Sequence, residues 1–500
     1  MTAMQRPWLL LLTFSQPALV VMEGQPADTA IVGVNLVDVS GGKIVAGQTV
    51  LVSSGRIAAM GAAEAITIPR EARAVDGKGY YLIPGLWDMH VHFRSNPVDR
   101  YKPLAEENAA LLELFVLNGV VGVREMGGDL SDHVLRWREE IRAGKRIGPR
   151  ILTAGRKLDG EKPAWPGSIA VTSAEEARQA VQQMKQAGAD FIKVYFNDVE
   201  PAAFKAVMDE AHRAGLKVTG HLPPNLSLRT AFELGLDGME HSTLQTPLQA
   251  THDQFAAETK ARVKMDLPMD AAEINRRRIF MHDQKEAARL YPLLAARSFW
   301  VTPTLFVLAR VRYEIAERDF DGDPRKRYYF PAIWASWDTK TGSRRPPPAA
   351  NIDLLKRAVK QYGELVLAAH KAGVPMLAGT DCGVSNNYVL PGWSIHDELE
   401  ALVRAGLTPA EALRTATVNP ARWRGEGATE GTIEKGKRAD LVLLRSNPLN
   451  HIGSTREVEA VFLGGEYHSR SKLDALLRSA AERAASAWSA GAAPSRSVAQ

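Results

Sequence analysis

The 500-residue chain has one cysteine, Cys382. A single thiol can form no internal disulfide and no all-cysteine zinc site, and it is not a lipidated cysteine near the start. A surplus of charge is also lacking. Sixty-two Lys and Arg face 57 Asp and Glu, a net +5, and the basic residues are scattered rather than blocked. That gives no support to a nucleic-acid partner. Long apolar runs are missing as well. The longest, from Trp8 to Met22, is broken by Ser15, Gln16 and Pro17 and falls short of the ~20 residues that span a bilayer.

What is present is ordinary for a globular protein, 45% hydrophobic and 24% charged. Collagen, coiled coil and wholesale disorder are thereby excluded. The length suggests roughly three units of ~150 residues, unless an α/β barrel absorbs ~250 or more as one. Residues 1–28, with Arg6 ahead of the apolar run, read as a secretory signal, which implies a periplasmic or secreted protein. No clean small-x-small cleavage site follows. A hydrophobic extension or a mis-assigned start, with a cytoplasmic location, is the alternative.

The apolar period changes along the chain. From 29 to 80 short β-type runs (31–39, 49–52, 56–60) are punctuated by Gly41-Gly42, Ser54-Gly55 and Asp76-Gly77. From 81 to 425 apolar strand-like runs at 82–89, 120–123, 151–153, 191–195, 217–220, 238–240, 300–305 and 375–378 alternate with helical segments at 104–117, 173–187, 201–214 and 351–372. Ser173-x-x-Glu176 and Thr408-x-x-Glu411 carry capping-box patterns. Eight nearly continuous apolar strands between helices predict an α/β fold, a (β/α)8 barrel of the TIM type. Residues 426–472 return to a β pattern (439–444, 458–463) and are expected to join 29–80 in a small β-sandwich-like domain. Residues 473–500 read as a C-terminal helix and a fraying tail. Two stretches, 242–270 and 307–350, exceed ordinary loop length. The aromatics of the second (Tyr328, Tyr329, Phe330, Trp334, Trp337) suggest an ordered lid over the barrel mouth, whose arginines select carboxylate-bearing substrates.

The sharpest local feature is Gly85-Leu86-Trp87-Asp88-Met89-His90-Val91-His92 at the end of the first barrel strand. In a strand, residues i and i+2 face one side, so His90 and His92 can chelate one ion. Alone the pair reads equally as two polar residues. Other strand ends add Lys193, His221, His241 and Asp381, each where a barrel places active-site residues. Lys193 is the odd member. Either it pairs with a carboxylate, or burial lowers its pKa and yields a neutral amine able to add CO₂. The resulting carbamate is anionic and can bridge two cations that acidify a shared water. Imidazole and carboxylate-type donors suit Zn²⁺.

These residues, with Gly188–Tyr195, Gly238-Met239-Glu240-His241-Ser242, Gly379-Thr380-Asp381, Gly406-Leu407-Thr408-Pro409 and Lys437-Arg438-Ala439-Asp440-Leu441-Val442, resemble the metal-dependent amidohydrolase superfamily in its imidazolonepropionase-like and prolidase-like branch. The resemblance runs from about residue 31 to 467. It implies two divalent ions, with His90, His92 and Asp381 on one, His221 and His241 on the other, and carboxylated Lys193 between them. It implies amide hydrolysis by a metal-bridging hydroxide, with Asp381 moving the proton. Candidate substrates are a dipeptide, an N-acyl amino acid or a cyclic amide. An esterase or lactonase using the same site, or a non-catalytic binding protein, is the alternative, although none of the six ligand positions is lost. A one-metal deaminase would not need Lys193. Tyr195 reads as a substrate contact or a packed barrel-end tyrosine, Arg124 as structural and Cys382 as a buried filler. His396 is a weaker neighbour of the mouth. His133, His212, His252, His282, His370, His451 and His468 read as surface residues. The substrate is expected to be a small or dipeptide-like molecule, and a homo-oligomer is left open.

Overall fold

The computed structural model describes residues 28–95, 104–196, 198–241, 261, 282–340 and 345–491. The apolar N-terminal run, almost all of the 242–270 stretch with His252, and the last residues of the tail lie outside them. Among the described residues no helix is long and apolar enough to cross a membrane.

Both ends of the chain meet in one sheet. It holds β1 (Thr29–Asp38), β2 (Lys43–Ser53), β3 (Arg56–Ala62), β4 (Arg73–Asp76) and β5 (Tyr81–Pro84) from the first part of the sequence. The same sheet continues with strands at Leu441–Leu444, Val458–Leu463 and Glu466–Ser469 from the last part. The seam is β5, which pairs in parallel with β1 and antiparallel with Leu441–Leu444. Ile57 N donates to Lys437 O at 2.8 Å, so the sheet curls and brings its far strand back to the C-terminal segment. Its inner face buries Ile31, Val52, Ile57, Leu82, Leu441 and Phe462 together. This is one curled sheet rather than two stacked ones.

The apolar run 82–89 serves two sheets. Gly85 divides it: Gly85 N donates to Asp440 O and Leu86 N to Gly119 O, at 2.8 and 3.0 Å. A Cβ there would fall 2.4 Å from Val121, so only glycine lets the chain cross at this point. β6 (Leu86–Val91) then opens the α/β part. It pairs in parallel with β7 (Val120–Glu125), which pairs with β8 (Arg150–Thr153). A second parallel sheet holds β9 (Lys157–Asp159), β10 (Ile169–Ala170), β11 (Ile192–Val194), β12 (Val218–Gly220), β13 (Gly238–Glu240) and β14 (Trp300–Thr302).

The expected barrel thus appears as two parallel sheets, not one continuous closed ladder. They part where the chain turns at Gly155 (φ +67°), between β8 and β9. On the other side, the run expected as the eighth strand is held by isolated bridges, Val301 to Met376 and Val91 to Cys382. Leu377 N donates to Val301 O (2.9 Å), Met89 N to Ala378 O (2.9 Å) and Asp381 N to His90 O (2.7 Å). The segment 376–382 therefore lies between β14 and β6. Helices alternate with the strands at Ala105–Leu117, Ala174–Gln186, Pro201–Arg213 and Ile352–Lys371, each within a residue of the periodicity. Thr408 and Glu411 form a reciprocal capping box. Ser173 caps Glu176 N, but Glu176 returns its carboxylate to Thr172 instead.

The aromatics of 307–350 face inward. Tyr329, Trp334 and Trp337 are buried and pack on one another and on Tyr388. Trp337 Nε1 donates to Gly383 O (2.9 Å) and Ser336 Oγ to Val384 O (2.9 Å). They buttress the loop that follows Asp381. Only the start of the segment, Val307, Leu308, Val311 and Arg312, lines the pocket described next.

Candidate active site

β6 carries its two histidines on the same side, as the two-residue period requires. His90 Nε2 and His92 Nε2 lie 3.3 Å apart, and Asp381 Oδ1 is 3.4 Å from the first and 3.3 Å from the second. His241 Nε2 lies 3.8 Å from Asp381 Oδ2. His90, His241 and Asp381 form a cluster with ligand atoms within 4.8 Å of one another. His221 and Lys193 stand outside that tight set but line one pocket with His92, His241, Tyr195 and Asp381. The rings form a row, with His221 4.8 Å from His241 and 4.1 Å from Tyr195, centroid to centroid. His241 (φ +71°) and Asp381 (φ +56°) adopt left-handed backbone conformations. Such strain in non-glycine residues gathers at functional sites.

Each imidazole is turned by a partner on its far nitrogen. His90 Nδ1 donates to Glu240 Oε2 (2.8 Å), His92 Nδ1 faces Gly127 O (3.3 Å), and His241 Nδ1 meets Thr304 Oγ1 (2.7 Å). The carboxylate on Nδ1 of His90 leaves its Nε2 as a lone pair, 3.3 Å from His92 Nε2 and beside an ionised carboxylate. Ligand-type atoms converge there, an arrangement a cation relieves. Burial lowers the His90 pKa and takes His92 well below the ordinary imidazole value; it pushes His241 down to about 3. All three are held neutral, the state that ligates metal. Burial alone would raise Asp381, but His241 and His90 keep it well below the usual carboxylate range.

Lys193 is buried, and its Nζ has no hydrogen-bond partner. Burial pushes it down to about 8 against the pull of Glu240 and Asp381. A fraction of neutral amine at physiological pH follows, as carbamate formation requires.

Sequence reasoning missed the support behind the site. Glu240 accepts from Arg124 Nη2 (2.7 and 2.9 Å) and Thr219 Oγ1 (2.6 Å) as well as His90. Arg124, read as structural, indeed ties β7 to β6 through Met89 O (2.7 Å). Asp88 accepts from Thr380 N and Oγ1 (3.0 and 2.7 Å), seating the strand end that carries Asp381. The available signal for both was a carboxylate inside an apolar strand run beside a histidine. His396 does not line the pocket; its Nδ1 lies 2.9 Å from Thr455 Oγ1. His468, read as a surface residue, is buried on its strand. Cys382 is buried, and that burial drives its thiol well above the ordinary value.

The sequence profile of the Amidohydrolase family matches residues 81–467. An uncharacterized protein of Mycobacterium tuberculosis is 26% identical over 401 residues, covering 77% of this chain and 85% of that protein. The ochratoxinase of Aspergillus niger is 24% identical over 432 residues, covering 76% and 73%. A Xaa-Pro dipeptidase, solved with methionine in its active site, superimposes with a TM-score of 0.64 at 20% identity, covering 88% of this chain and 99% of its own.

Proposed function

Because the chain belongs to the amidohydrolase family, in its prolidase-like branch, and is a hydrolase acting on carbon–nitrogen bonds, we propose that it cleaves the amide of a dipeptide, an N-acyl amino acid or a cyclic amide at a two-metal centre. The observation that carries this reading is the convergence of His90 Nε2, His92 Nε2 and Asp381 Oδ1, with unpartnered Lys193 beside it. His90, His92 and Asp381 would hold one ion, His221 and His241 a second, and carboxylated Lys193 would bridge; zinc suits these donors. When bound, the ions would polarise the scissile carbonyl and acidify a water.

The chain's own groups do the rest. Asp381, kept ionised by its neighbouring imidazoles, accepts the proton of the attacking water and returns it to the departing amine. Glu240 keeps Nδ1 of His90 protonated and so fixes which nitrogen faces the pocket. Tyr195, its ring tilted 42° against that of His221, is placed to orient the substrate's carbonyl or carboxylate. The proposed architecture is the (β/α)8 barrel, its rim made of the strand ends that carry these residues. The dipeptidase and ochratoxinase names of the relatives fit an amide-type substrate.

Protein purified with Zn²⁺ and bicarbonate is expected to hold about two divalent ions per chain and to hydrolyse members of a panel of dipeptides and N-acyl amino acids. Lys193→Ala should lose at least one ion and most of the activity. Undiminished turnover in that variant would reject the bridging carbamate. A protein that binds no metal and cleaves nothing on the panel would reject the whole reading.

A further inference from the structure

Three basic residues line the pocket without a role in that chemistry, Arg312 of the 307–350 segment and a neighbouring pair, Lys157 and Arg94. Lys157 lies on β9 in register opposite Lys193, 1% exposed, and its Nζ has no hydrogen-bond partner. Arg94, also buried, gives Nη1 to Ser385 Oγ at 3.1 Å and leaves Nε without a partner. Both hang over one indole: the Arg94 guanidinium is 4.3 Å and the Lys157 ammonium 5.1 Å from the Trp165 ring centroid. Among the described residues neither cation has a carboxylate within ion-pair distance. Glu125, which attracts both, instead takes a hydrogen bond from Thr153 Oγ1 at 2.7 Å.

The arrangement is built rather than incidental. Asp159 accepts from Gly160 N and Ala164 N, both at 2.8 Å, and shapes the loop that presents Trp165. Arg156 Nε closes that loop on Gly167 O at 2.6 Å. Gly127 (φ +80°) leaves room for the lysine, since a Cβ there would press within 3.0 Å of Lys157 Cγ. Buried cations are costly unless an anion pairs with them. Here Asp381 and Glu125 attract both groups from a distance but none of the described carboxylates pairs with either, and both residues line the pocket.

We infer that Lys157 and Arg94 form an anion subsite that takes a carboxylate of the substrate, Arg94 donating to it from its free Nε edge and Lys157 from its unpartnered Nζ. The amide cleaved nearby then belongs to a carboxylate-bearing molecule, selected by residues outside the 307–350 segment as well as by any arginine within it. That last step rests on the proposed hydrolysis; the subsite itself does not.

The test is calorimetric titration of the full-length, zinc-loaded protein with N-benzoylglycine and with its methyl ester. The acid is expected to bind at least tenfold more tightly than the ester. Lys157→Met and Arg94→Met should each weaken the acid at least tenfold and narrow the gap to the ester, while Lys157→Arg keeps most of it. Because Lys157 has no hydrogen bond or ion pair to lose, only its contacts with the Trp165 and Tyr195 rings, and Met relieves a buried amine, Lys157→Met should melt no lower than the wild type. A lower melting temperature with unaltered acid affinity would identify a structural lysine and overturn the subsite. So would equal binding of acid and ester, or no binding of the acid by the wild type. If the acid binds through Lys157 yet the zinc-loaded protein cleaves no amide, the hydrolase reading fails and the subsite stands.

Discussion

At the scale of single residues the site depends on groups that touch no substrate. Glu240 balances buried Arg124 and orients His90. Glu240→Gln would leave the guanidinium without a full counter-charge, a loss of ~3–5 kcal/mol. Urea unfolding should show it, and zinc affinity should fall ~10–100-fold with the His90 tautomer released. Unfolding midpoints equal to wild type would mean Arg124 finds another partner. Glu398 offers a pH test. It accepts from Leu305 N and Phe306 N (3.0 and 2.7 Å), and burial pushes its carboxyl up from 4.5 to about 8. A raised carboxyl pKa favours the folded state most below pH 4.5, and that contribution is lost as pH climbs to about 8. Wild-type stability relative to Glu398→Gln should therefore decline between pH 5 and 8 and level off above. A constant difference across that range would contradict the protonated state. The metal-ligand candidates were legible because a period of two fixes the facing of His90 and His92. Glu240, Lys157 and Arg94 were not, since their meaning lies in partners brought near by the fold, such as His90 and Arg124 for Glu240, or in lacking a paired carboxylate.

At the scale of elements, periodicity found the helices and most strands but not which sheet claims a run. Residues 82–89 read as one strand, yet hydrogen bonds on either side of Gly85 divide them between sheets. The 376–382 segment shows the opposite limit, because its bonds run through isolated bridges that apolar pattern cannot reveal. Its close approach to β6 depends on Gly379, where a Cβ would lie 2.6 Å from Thr302 Cγ2 and 2.7 Å from His90 Cβ. Gly379→Ala must push Asp381 away from the histidines or distort β6. We expect reduced zinc content and a melting temperature lower by several degrees, as an overpacking cost of ~1–3 kcal/mol implies. Normal zinc content in that variant would show that the strand end can shift freely.

At the scale of the whole molecule, distant parts of the chain hold one another. The C-terminal helix Arg470–Gly491 buries Leu473, Ala480 and Ala484, and Trp488 Nε1 donates to Tyr329 O at 3.0 Å. Tyr329 in turn packs on Trp337, which buttresses the loop after Asp381. Truncation after residue 469 should expose this apolar surface, lower stability by a few kcal/mol and weaken zinc binding through the loosened loop. Limited proteolysis and metal analysis of the truncated chain would check both, and unchanged zinc content would separate the helix from the site.

The sequence by itself determined the alternation of elements, the reach of both β-rich ends and the candidate ligands His90, His92, Lys193, His221, His241 and Asp381, because local periods and strand ends are properties of neighbours in the chain. Only the tertiary structure decided that both ends share one curled sheet, that the lid aromatics are core, that His468 is buried, and that Lys157 and Arg94 face the pocket unpaired. Those outcomes are set by contacts across hundreds of residues, where packing and unbalanced charge, not local pattern, choose the arrangement.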